Sequence, residues 1–197
     1  MRKTRADDFA APAPLSLAAS LSLLLALGAP APAAAAASSV PATTTAASAT
    51  VVMRADQLSI SVPTTANFGS RTTGDTFSAS LGTVTVADSR GGIPPWTATV
   101  SATDLTTGGG SPAQTITKAN ITYWSGPSVT SSGGGSRTPG QVSSTEKVAL
   151  TTSVIAFRAR KGTLFATSTS WQPTLVITVP ASAAAGVYTG VITHSVA

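Results

Sequence analysis

Leu81 to Asp104 reads LGTVTVADSRGGIPPWTATVSATD, two alternating runs around a short polar connector. Val84-Thr85-Val86 alternates with period two, the pattern of a half-buried strand. After the connector, Trp96, Ala98, Val100 and Ala102 fall on one face, and Thr97, Thr99 and Ser101 on the other. Between the runs, Gly91-Gly92 accepts positive φ, and Pro94-Pro95 offers no backbone donors to a ladder. The stretch predicts two strands joined by a fixed connector, with Asp88, Arg90 and Trp96 placed at it.

The same pattern continues downstream. Ile121 and Tyr123 share one side of a run over 116–124, and Val148, Leu150, Val154 and Phe157 predict two short strands with a corner at Thr151-Thr152-Ser153. In WQPTLVITV, Leu175, Ile177 and Val179 alternate against Val176 and Thr178. In VYTGVITHSV, Tyr188, Ile192, His194 and Val196 share a face. Upstream, Leu58, Ile60 and Val62 do the same, while Pro63 to Ser80 reads as mostly turn with Phe68 and Phe77 plugging the core. Gly126 to Gly140 reads as a long Gly/Ser/Pro loop with at most a short strand at Ser128-Val129-Thr130. Long amphipathic helical periodicity is missing. The expectation is an all-β, antiparallel β-sandwich, Ig-like in architecture, with about seven to ten short strands.

The start of the chain reads as an export signal. Arg2, Lys3 and Arg5 supply a basic region, Leu15 to Leu27 an apolar one, and Ala29 to Ala37 small residues suited to cleavage. The apolar run is shorter than the roughly 20 residues of a membrane span. The expected organisation is a signal peptide over 1–37, a linker over 38–50 rich in Ala, Ser and Thr, and one domain over 51–197. After cleavage no membrane span is expected. That product carries nine Lys and Arg against five Asp and Glu, a mildly basic balance that suits an anionic envelope polymer. There is no cysteine, so neither disulfides nor Cys-based zinc or redox sites enter.

The central stretch resembles the WxL domain family of Gram-positive cell-surface proteins. The resemblance rests on Val86-Ala87-Asp88-Ser89-Arg90-Gly91 followed by Trp96-Thr97-Ala98-Thr99-Val100-Ser101, and on Val179-Pro180-Ala181 followed by Ala185-Gly186-Val187-Tyr188-Thr189-Gly190-Val191-Ile192-Thr193. Ala98 stands where that family usually has Leu, and His194-Ser195-Val196 stands where its second Trp-x-Leu is expected. The resemblance implies a secreted or cell-surface module attached non-covalently to peptidoglycan, alone or with other surface proteins. Teichoic acid is a further expected polymer partner. The alternative is a structural subunit of a surface fibre or coat, assembled by strand-edge pairing.

Candidate contact residues follow from both readings. Trp96 and Trp124 offer faces for a sugar ring, or else fill the core. Asp88 and Arg90 read a wall peptide or an amine, or else pair with each other to cap the turn. Arg158, Arg160 and Lys161 form a basic run for polymer phosphate, or else a solvated turn. No enzyme is expected: His194 is the sole histidine, and no nucleophile elbow accompanies it. No cofactor, metal site or nucleic-acid partner is expected either, since ligand clusters, phosphate loops and basic motifs are missing from the sequence.

Overall fold

The computed structural model describes residues 17–27 and 57–197. Almost all of the regular structure is β, arranged as sheets packed in a sandwich. Strands are numbered along the chain.

The first sheet runs in the order β11 (Gly135–Pro139), β13 (Val154–Lys161), β6 (Pro95–Ala102), β16 (Gly186–Val196), β1 (Leu17–Leu27) and β3 (Thr65–Arg71). Two short strands, β7 (Leu105–Thr106) and β8 (Thr115–Ile116), extend it beside β16. All pairings are antiparallel except that of β1 with β3. The predicted face of β6 is the buried one: Trp96, Ala98 and Val100 are all inside.

Opposite lie two four-stranded pieces. One has the order β10 (Ser128–Ser132), β14 (Thr167–Trp171), β5 (Val84–Asp88), β2 (Leu58–Ser61). The other has β12 (Val148–Ala149), β9 (Ile121–Trp124), β15 (Thr174–Thr178), β4 (Thr76–Ser80). They are halves of one kinked sheet. Ser80 faces Thr174 and Val84 faces Trp171, so three residues of one chain segment oppose two of the other. That is a one-residue bulge, placed where Pro173 cannot donate and where the Leu81 N–H donates to the Pro173 carbonyl at 2.9 Å. The kink lets Leu81, Val84, Trp171 and Leu175 all stay inside.

The core between the sheets is closed by aromatic rings. Trp96 stacks against Phe157 and Trp171, with centroids 6.3 and 6.5 Å away, and Phe157 lies 4.9 Å from Trp171. One edge is bracketed by Arg137 of β11. Its Nε donates to Thr169 Oγ1 of the facing sheet at 3.0 Å, and its Nη2 to the Ser132 and Gly133 carbonyls at 2.7 and 2.8 Å.

Three sequence expectations change. The stretch 126–140 is not a long loop: the short strand at Ser128-Val129-Thr130 is part of β10, β11 follows it, and their mostly exposed Ser, Thr and Gly residues are held by backbone pairing with β14 and β13. Pro63 to Ser80 is likewise mainly β3 and β4. Among the described residues, sixteen strand segments stand in place of the expected seven to ten, because bulges cut long strands in two and very short strands pair at the ends. The linker over 38–50, the basic residues Arg2, Lys3 and Arg5, and Ala29 to Ala37 lie outside the described residues. Within the expected signal, Leu17–Leu27 is a strand of the first sheet. Among the described residues no helix is long and apolar enough to cross a membrane.

Candidate functional site

Asp88 ends β5 with only 1% of its surface exposed. Its carboxylate accepts from the Arg90 backbone N–H, Nε and Nη2, each at 3.0 Å. Arg90 Nη2 also donates to the Pro95 carbonyl at 3.0 Å, which fixes the connector just before Trp96. Lys161, turned inward at the end of β13, donates its ammonium to the Arg90 carbonyl. The result is a closed polar corner at the end of the sandwich where β5, β6, β13 and β14 meet. An incoming amine would have to displace Arg90 to reach the carboxylate. The arrangement spends Asp88 and Arg90 on the turn, and Trp96, 4% exposed, on the core.

The basic run does not act as one patch. β13 alternates, so Arg158 and Arg160 are exposed on the outer face while Lys161 joins Phe157 and Ala159 inside. Arg158 also borders a shallow depression of about 290 Å³ with Thr138, Pro139, Gly140, Gln141 and Ile155. The Gln141 amide nitrogen donates to the Ile155 carbonyl at 3.1 Å. The depression has no signal in the sequence, because β11 carries no apolar alternation.

Of the three tryptophans, Trp171 and Trp96 are buried and Trp124 is half-buried. Trp124 sits on β9, where Ile121 and Tyr123 point into the core and the alternation turns Thr122 and Trp124 outward. Its six-membered ring lies over Gly126: a Cβ there would stand 3.4 Å from it. Gly126 has φ +70°, so the chain can turn beneath the ring without a side chain in the way. Trp124 faces Thr174 across the ladder.

His194 is fully buried opposite Val100. Its Nε2 is 3.5 Å from the Tyr123 hydroxyl, which in turn accepts from Trp171 Nε1 at 3.4 Å. Burial pulls the imidazole pKa down to about 4 and pushes the Tyr123 phenol up, so both are neutral near pH 7. Asp88 is held by Arg90, and Asp104 accepts the Lys118 N–H at 2.7 Å. The structure does not bring either carboxylate onto His194 by any bond among the described residues. Nor do the described residues gather three or more His, Cys, Asp or Glu side chains around a common point.

No protein-family model matches the chain, and neither a curated protein nor a solved structure matches it.

Proposed function

We propose that this chain is a non-enzymatic, exported cell-surface module that binds cell-wall polymer non-covalently, with Trp124 as the sugar-contacting residue. The observation that carries the proposal is that Trp124 alone among the three tryptophans reaches the surface. An indole that reaches the surface suits the apolar face of a pyranose ring. Arg158 and Arg160 stand on the opposite outer face, where their guanidinium groups suit phosphate of teichoic acid. The WxL-like residues around Asp88 and Trp96 support the surface assignment, in a positioning role and not as contacts. Titration with soluble peptidoglycan fragments tests the reading. Tryptophan emission should shift in the wild type, and Trp124→Ala should abolish the shift; an unchanged shift in that variant removes Trp124 from the site.

A second reading is a structural subunit built by strand-edge pairing. It is favoured by one observation: the strand Leu17–Leu27, from the expected signal, lies inside the first sheet.

A further inference from the structure

We infer that the polar corner docks on an anionic bilayer surface, with Leu164, Phe165 and Ile93 entering the headgroup layer and Arg158 and Arg160 meeting lipid phosphate. This goes beyond the polymer reading above and does not involve Trp124.

Two connectors cross from one sheet to the other at this corner: 89–94 from β5 to β6, and 162–166 from β13 to β14. β5 pairs with β14, where Asp88 faces Thr167, and β6 pairs with β13, where Pro95 faces Arg160. The two crossings therefore lie side by side, and Lys161 ties them together through the Arg90 carbonyl. Both carry bare apolar side chains. Leu164 and Phe165 are 74 and 81% exposed, and Ile93 is 46% exposed. The other large apolar side chains exposed among the described residues are Val129, Val142 and Val187, each alone on its own segment. Single exposed valines are ordinary, whereas consecutive Leu and Phe at the tip of a connector mark a contact surface.

Charge identifies what the surface meets. Among the described residues, the corner and the strand ends that enter it carry Arg90, Arg137, Arg158, Arg160 and Lys161. One acidic side chain stands with them, Asp88, and Arg90 already holds it. The remaining acidic residues lie elsewhere. Asp104 follows the opposite end of β6, and the Asp75 carbonyl accepts the Val179 N–H beyond the opposite end of the β14–β15 run. Glu146 accepts the Val142 N–H. Arg71, Lys118 and Lys147 balance these three. An apolar tip in a positive field fits a surface that is anionic on top and apolar beneath, a bilayer with acidic phospholipid. A soluble polyanion offers the arginines the same phosphate but leaves Leu164 and Phe165 in water.

The sequence of the connectors suits shallow insertion. No charged residue lies between Arg90 and Asp104, nor within 162–197, so either tip leaves bulk water without burying a charge. Backbone groups of an irregular loop need polar partners, so the tips stop at the headgroup–acyl boundary, about 5–10 Å deep. Arg160, exposed on β13, precedes the connector by two residues, or about 7 Å of strand. That places its guanidinium at the depth of the phosphates, which it can hold through two N–H groups at once.

The test is co-sedimentation of the intact protein with extruded vesicles of phosphatidylcholine alone or with phosphatidylglycerol. The expected result is binding to the phosphatidylglycerol vesicles that weakens with salt. Leu164→Ser with Phe165→Ser should lower that binding at least about tenfold, and Arg160→Gln about fivefold. Both variants alter exposed side chains, and their urea curves should match the wild type. A Phe165→Trp reporter should shift its emission to shorter wavelength on the same vesicles. A wild type that stays in the supernatant with phosphatidylglycerol vesicles overturns the inference. So does binding that Arg160→Gln weakens and the Leu164/Phe165 variant does not, which would be charge attraction only. Concentration-dependent oligomers that the Leu164/Phe165 variant abolishes, with no vesicle binding, would assign the tips to a second copy and overturn it too. Trp124→Ala should bind vesicles as the wild type does, so failure of the polymer reading and failure of this one are separately visible.

Discussion

Arg90 folds back onto Asp88 two residues earlier, with its Nε and Nη2 each 3.0 Å from a different carboxylate oxygen. This two-pronged pairing converts the most conspicuous charged motif of the sequence into a structural clasp. Asp88 is almost wholly buried, whereas the Arg90 side chain is 28% exposed. Removing the arginine therefore strands a buried carboxylate. Arg90→Ala should cost about 3 kcal/mol of stability, the scale for breaking one side of a buried pair. Urea unfolding measures it, and a loss below about 1 kcal/mol would mean that the clasp is solvated and weak.

The tryptophans should separate by role. Trp96→Ala opens a cavity between Phe157 and Trp171 and should cost about 3–5 kcal/mol. Trp124→Ala, on the outer face, should cost about 1 kcal/mol or less. Paired urea curves decide the matter, and equal losses would place Trp124 in the core.

His194 gives the fold an acid-sensitive component. Its folded pKa of about 4 lies below the ordinary 6.5, so on acidification the unfolded chain takes up the proton first. The stability tied to the neutral imidazole is fully present above pH 6.5 and is lost as pH falls from there to about 4. The size of that shift corresponds to about 3 kcal/mol. His194→Leu should flatten the stability profile across this window, measured as unfolding free energy at pH 7 and pH 4. A variant that keeps the full slope would assign the sensitivity to other groups.

Gly135 sets the corner between β10 and β11. It holds φ +129°, and an added Cβ would fall on the Arg160 carbonyl oxygen. Gly135→Ala should cost at least about 1–3 kcal/mol from backbone conformation alone. Exchange at the amides of 128–139 should accelerate, and an unchanged exchange pattern would contradict the corner as described.

Much of the sandwich was legible because its core strands alternate. The parity of Trp96, Ala98 and Val100, or of Leu175, Ile177 and Val179, names the buried face without any structure. β10 was legible only as the short strand at Ser128-Val129-Thr130 and β11 not at all, because their residues are mostly exposed and both are stabilised by their neighbours' backbones, for which sequence has no period. Bulges were hidden too, since a one-residue offset between paired segments exists only across strands distant in sequence. The polar corner was half legible: Asp88 and Arg90 are two residues apart, but Lys161 reaches the Arg90 carbonyl from 71 residues away. Trp124 could be placed on the surface from the parity of Ile121 and Tyr123, and Lys161 inside only once β13 had a register.

The central claim, polymer binding through Trp124, meets its most direct test in co-sedimentation. The processed protein is mixed with purified peptidoglycan, with and without teichoic acid, beside a Trp124→Ala variant shown to be folded by its urea curve. The account predicts that the wild type pellets with bare peptidoglycan and the variant stays in the supernatant, while Arg158→Gln with Arg160→Gln loses only the increment that teichoic acid adds. A wild type that remains in the supernatant with both wall preparations, or a folded Trp124→Ala variant that pellets equally, would contradict it.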